Sequence, residues 1–182
     1  FQSYYPSLHK TIDDTEYTSA LTDEINTIVD RFGEIKDDAS PLLLNTRRAI
    51  NVVKGKINSS FSSALSQYAS YGYLDEIRES IVDNVRVLAV SAMHRRKVKG
   101  SILGNSKTGS IVYIEPEATL RYSRELGNLE FEEREEIQKI LNDLTNRIRP
   151  FAPELYAYQD FLVHIDITAS KAKYALEMDA LL

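Results

Sequence analysis

Through most of this chain apolar residues recur at intervals of three and four, and over one stretch, Ser80 to Pro116, that helical pattern stops. Within it Ser80-Ile81-Val82 and Val85-Arg86-Val87-Leu88-Ala89-Val90 flank Asp83-Asn84, a two-residue loop of the kind that closes tight hairpins with positive φ. A second hairpin is expected from Val98-Lys99-Gly100-Ser101-Ile102-Leu103 and Ser110-Ile111-Val112-Tyr113-Ile114, joined through Gly104-Asn105-Ser106-Lys107-Thr108-Gly109. Residues 80–116 are therefore expected to form a four-stranded antiparallel module in which consecutive strands pair.

The flanking segments read as long rods. Residues 1 to 13 carry aromatics and Pro6 without a helical stripe and read as a lead-in. From about Thr15, the positions Tyr17, Leu21, Ile25, Ile28, Phe32 and Ile35 predict an amphipathic helix ending near Gly33. Asp37-Asp38-Ala39-Ser40-Pro41 then reads as a helix start, with Ser40 as N-cap and Pro41 at the first helical position. That helix carries Leu43, Ile50, Val53, Ile57, Phe61, Leu65 and Tyr68, and its second half, Ser59 to Ser70, is rich in Ser and Ala. Pro116 opens another helix that runs to about Arg149, before Pro150 and Pro153, for a length of about 50 Å. Leu126, Leu129, Glu133, Ile137, Ile140, Leu141, Leu144 and Ile148 trace its inner face. Glu130, Glu132, Glu133, Glu135 and Glu136 read as a solvated outer one. The last helix, from Glu154, sets Leu155, Leu162, Ala169 and Leu176 seven apart, with Tyr158, Ile165 and Ala172 between them, as a heptad seam. Narrow apolar stripes on long helices must pack on one another, so the expected class is mainly α: a long antiparallel helical bundle with a small antiparallel sheet inserted between helices. The boundaries are residues 1–79, 80–116 and 117–182.

Composition narrows the chemistry. The net charge is −5 over 182 residues, so any contact with nucleic acid must be local. With no cysteine there are no disulfides, thiolate nucleophiles or Cys-type zinc sites, which fits a reducing compartment. No apolar run approaches the roughly 18 residues of a membrane span, and no targeting pattern opens the chain, so a cytoplasmic location without membrane contact is expected. Without an initiator Met, the chain reads as an excised piece of a longer protein.

Catalytic constellations are sparse. His9, His94 and His164 are the only histidines, and none has a ligand partner at helical i, i+4 spacing. Gly104 to Ser110 superficially resembles a phosphate loop, but it lacks the lysine after its second glycine and joins strand to strand. Asp160 and Asp166 form no evident pair. No catalytic residue, metal or cofactor is expected in this chain.

What remains is the basic group of the sheet module: Arg95, Arg96, Lys97, Lys99 and Lys107, on or near the loops that join strands. There, cations reach a polyanion without disturbing a core, and the phosphate backbone of a nucleic acid is the expected partner. The competing reading gives them only the task of keeping an exposed sheet soluble and unpaired at its edges.

The order of these blocks resembles the second bacterial MutS paralogue, a member of the MutS-type ATPases. The resemblance rests on Gly33-Glu34-Ile35-Lys36-Asp37-Asp38-Ala39-Ser40-Pro41, on Val85 to Val90, on Val98-Lys99-Gly100-Ser101-Ile102, and most of all on Thr108-Gly109-Ser110-Ile111-Val112-Tyr113-Ile114-Glu115-Pro116. Glu132 to Leu141 and Ile165 to Ala172 extend it, over about Ile28 to Ala175. The chain departs from the family at Asn105-Ser106-Lys107-Thr108 and at Arg121-Tyr122-Ser123. The resemblance implies the lever helices and clamp of such an ATPase, with DNA as partner, including branched or mismatched DNA and recombination intermediates, in repair or recombination control. It implies ATP and Mg, self-association as a dimer and, in many members, an endonuclease domain for the full-length protein, none of them supplied by this chain. It also leaves open a mechanical or dimerising module that meets protein, or a ribosome and its RNA, without touching DNA.

Overall fold

The structure, a computed structural model, describes residues 18–180. In chain order the elements are α1 (Ala20–Ile28), α2 (Pro41–Ser70), β1 (Leu74–Val82), β2 (Val85–Ser91), a 3₁₀ helix (Ala92–Lys97), β3 (Gly100–Asn105), β4 (Ile111–Pro116), α3 (Glu117–Ile148), a short 3₁₀ turn (Arg149–Phe151) and α4 (Ala152–Glu177). Residues Ser40–Ile137 form one compact unit and the described remainder a second.

In the first unit, α2 begins as its sequence demands. Ser40 is extended and its Oγ accepts from the Leu43 amide at 3.0 Å, while Pro41 takes a position whose missing N–H costs nothing. The helix then runs antiparallel to α3. Ser40 Oγ donates to Glu136 Oε1 at 2.7 Å, Arg47 Nε meets Glu133 Oε1 at 2.7 Å, and Lys56 Nζ lies 5.8 Å from the centre of the Tyr122 ring. Leu43, Thr46, Ile50, Val53, Phe61 and Ala64 are the buried stripe of α2. Farther along, Ala64 and Gln67 stand beside Glu117 and Ala118 at the start of α3, so only about the last turn of α2 runs beyond its partner helix. Glu133 and Glu136 therefore do not belong to a solvated face. They lie in the pairing of the two helices, with the Glu136 carboxylate at the N-terminal end of α2, where the helix dipole favours an anion.

The sheet packs on the C-terminal part of α2. Phe61, with no exposed surface, is buried with Leu88, Val90, Val98, Val112 and Ile114, and Leu65, Tyr68, Tyr73 and Leu74 close the edge of that core. Asp83 and Asn84 both have positive φ, 49° and 64°, and turn β1 into β2 as the sequence predicts. The strand order is β1-β2-β4-β3, antiparallel throughout. Two expectations are corrected here. β1 starts at Leu74 rather than Ser80, because a bulge between Leu74 and Glu79, with Arg78 at φ 60°, breaks the alternation that would reveal it. And β2 and β3 do not pair: β4 lies between them, and the 3₁₀ helix carries the chain across.

In the second unit the first helix is shorter than its apolar spacing predicts. Asp30 Oδ1 accepts from the amides of Phe32 (2.8 Å) and Glu34 (3.0 Å), offering the backbone an alternative to helix; Val29 is extended and pairs with Ile35. Phe32 is thereby left 74% exposed. The segment 1 to 13, His9 and Tyr17 lie outside the described residues. Arg147 meets Glu24 at 2.9 Å, and the Thr18 amide donates to the Tyr158 hydroxyl at 2.9 Å. The expected seam of α4 is also corrected. Leu155, Leu162, Ala169 and Leu176 are exposed; of the interleaved positions Tyr158 and Ile165 are half-buried and Ala172 is not, and Phe161 and Ala175 are half-buried as well. Tyr156, Val163, Ile167 and Tyr174 supply another apolar stripe, so periodicity alone did not say which one packs.

Candidate nucleic-acid interface

The basic residues owe their positions to how the sheet is joined. After β2, the Ala92 amide donates to the Ser110 carbonyl at 2.9 Å, and the chain tightens into the 3₁₀ helix Ala92–Lys97. With three residues per turn, positions i and i+3 eclipse. His94 and Lys97 accordingly share a side and meet the same ring: His94 stacks at 5.0 Å from the centre of Tyr73, and Lys97 Nζ lies 5.2 Å from it. Arg95 and Arg96 are exposed, and buried Val98 anchors the end of the turn. Lys99 is held by its backbone, its amide donating to the Tyr68 hydroxyl at 3.3 Å and its carbonyl accepting from Glu117 at 3.1 Å, while its side chain is exposed. Lys107 stands on the β3–β4 turn, which Ser106 closes by accepting the Gly109 amide at 2.9 Å.

The structure thus brings Arg95, Arg96, Lys97 and Lys99 onto one connection. Lys107 stands apart, separated from Lys99 by the length of β3, about 17 Å. Residues 87–114 contain all five cations and not one of the chain's 27 carboxylates. The first carboxylate beyond them, Glu115, is buried and accepts from Ser123 Oγ at 2.5 Å. Among the described residues none of the five is in an ion pair. Arg86, by contrast, is consumed by the fold: it pairs with Glu79 at 2.6 Å and lies over the Phe61 ring at 4.3 Å.

Sequence reasoning overlooked the aromatic flank of this surface. Tyr68, Tyr71 and Tyr73 close the end of α2, and their spacing was visible in Tyr68-Ala69-Ser70-Tyr71-Gly72-Tyr73, but nothing in it said that the basic turn would fold against them. A cleft of about 420 Å³ lies beside the Asp83-Asn84 turn. It mixes Lys54 and Arg86 with Asp83, Glu115 and Glu130, so it is no cationic site. Among the described residues no three His, Asp or Glu side chains converge as metal ligands, and no helix is long and apolar enough to cross a membrane.

No family model matches this chain. Its sequence is 33% identical over 176 residues to Endonuclease MutS2 of Carboxydothermus hydrogenoformans, covering 97% of this chain and 23% of that protein. It is 34% identical over 163 residues to Endonuclease MutS2 of Finegoldia magna, covering 88% and 20%. The protein of the same name from Halothermothrix orenii is 27% identical over 180 residues, covering 99% and 23%. The chain spans about a fifth of the length of these curated relatives.

Proposed function

The chain is homologous to one segment of the MutS2 proteins, paralogues of MutS, and on that premise we propose that it is a lever-and-clamp segment holding DNA by its phosphate backbone. Arg95, Arg96, Lys97 and Lys99 make the main contact and Lys107 a separate one. The observation that carries this reading is the carboxylate-free stretch 87–114 with its five cations, in no ion pair among the described residues, on a sheet packed against the end of α2. Phosphate contacts fix orientation and carry no sequence information, which suits a protein whose target is a DNA shape, such as a branched or mismatched intermediate. In this reading the whole protein works in DNA repair or recombination control, dimerises, and takes ATP, Mg and any nuclease chemistry from parts other than this chain.

The test is a salt series. Each phosphate contact releases condensed counterions, so three to five contacts give a log–log slope of roughly −2.7 to −4.5 for duplex DNA. The triple variant Arg95→Ala, Arg96→Ala, Lys97→Ala flattens that slope while leaving the circular dichroism unchanged. The acidic total, −5, favours a competing reading in which the same surface meets protein or a ribosome. A triple variant that binds DNA as before but no longer binds ribosomes would decide for that alternative.

A further inference from the structure

Beside the cations lies a set of rings that phosphate binding does not require. Tyr71, the residue that ends α2, is 54% exposed. It is nonetheless braced on two sides. Its ring centre is 6.4 Å from that of Tyr68, edge to face, and 5.5 Å from that of Tyr73. Tyr73 in turn takes His94 at 5.0 Å and Lys97 at 5.2 Å, and Tyr68 is tied to the backbone of Lys99 at 3.3 Å. The braced ring therefore shares a surface with the Lys97 ammonium and the Lys99 backbone, at the junction of α2, the 3₁₀ helix and the start of β3.

A tyrosine held in place by its neighbours loses little rotamer freedom when something stacks on it. With Lys97 alongside and Arg95 and Arg96 exposed on the same short helix, the arrangement answers both needs of a single strand, cations for the backbone and a π face for a base. Duplex DNA offers such faces only where its stack ends. We infer that Tyr71 is a stacking platform for an unpaired base, so that this surface prefers DNA with single-stranded character, such as a fork, gap or flap, to continuous duplex. The inference rests on the DNA-binding reading above and sharpens it by naming the feature of the DNA that is held.

The experiment uses the 182-residue chain with three probes: an oligodeoxythymidylate, a blunt duplex of equal length, and a single strand carrying 2-aminopurine. Anisotropy titrations over a salt series are made with the parent, Tyr71→Ala and Tyr71→Phe. Tyr71→Ala is expected to lose about 5- to 150-fold in single-strand affinity, the range set by one stacked base. Duplex affinity and both salt slopes should be unmoved, Tyr71→Phe should bind as the parent, and 2-aminopurine emission should change with the parent and not with Tyr71→Ala. An equal loss on strand and duplex, or no loss on the strand, would overturn the platform while leaving backbone binding standing. Absence of salt-dependent binding to either DNA would overturn both readings.

Discussion

Gly100 is the residue at which the sheet tolerates least. Its φ is +156°, and a Cβ built on it would stand 2.0 Å from the Glu115 carbonyl oxygen, a backbone atom that cannot swing aside. Gly100→Ala should therefore destabilise the first unit by about 2–4 kcal/mol, read from the urea midpoint at constant m. Phe61→Ala should cost about 3–5 kcal/mol by the same measurement, since the ring is fully enclosed by the sheet. These two positions differ in how far the sequence announces them. Phe61 sits on a helical stripe that any periodicity reading finds, as do the Asp83-Asn84 turn and the Ser40-Pro41 helix start. The need for glycine at position 100 comes from a strand more than ten residues away, and no local pattern encodes it. The partners of Glu133 and Glu136 are likewise remote in sequence, which is why a dense carboxylate run read as solvent-facing.

At the level of elements, the pairing of α2 with α3 depends on polar contacts whose worth is unequal. Ser40 both caps α2 and bonds the buried Glu136 carboxylate, so Ser40→Ala should cost about 1–3 kcal/mol, and Ser40→Asp, which keeps a cap but sets two anions together, should not restore it. Arg47 and Glu133 are each about a quarter exposed, and a double-mutant cycle should return only about 0.2–1 kcal/mol, shrinking with added salt. The long helices and both hairpins were legible because helix periodicity and turn chemistry are local properties. The order β1-β2-β4-β3 was not, because which hairpins lie side by side depends on contacts remote in sequence, here the shared packing on Phe61. The α4 seam was misread for a related reason: a helix apolar on more than one side does not disclose which side has a neighbour.

For the whole molecule, the chain should show no nucleotide-dependent protection of Gly104 to Ser110, since that loop is a strand-to-strand turn; amide exchange with and without ATP and Mg tests this. The cationic surface was legible as a list of residues and illegible as a place, because Lys107 and Lys99 adjoin in composition but are held apart by β3. One feature of the architecture bears on the history of each molecule as it folds. Ser40 and Glu136 are hydrogen-bonded, so the excursion of roughly 100 residues between them leaves and returns at one point. Closing a flexible loop of that length costs about 4 kcal/mol of chain entropy, a cost met inside the unit by its own core. The second unit draws on chain from both sides of this excursion, so its two stretches remain strangers until the first unit is native. Folding should accordingly be sequential, with the amides of β2 and β4 acquiring protection before those of α1 in pulse-labelled exchange, and residues 40–137 should fold when expressed alone.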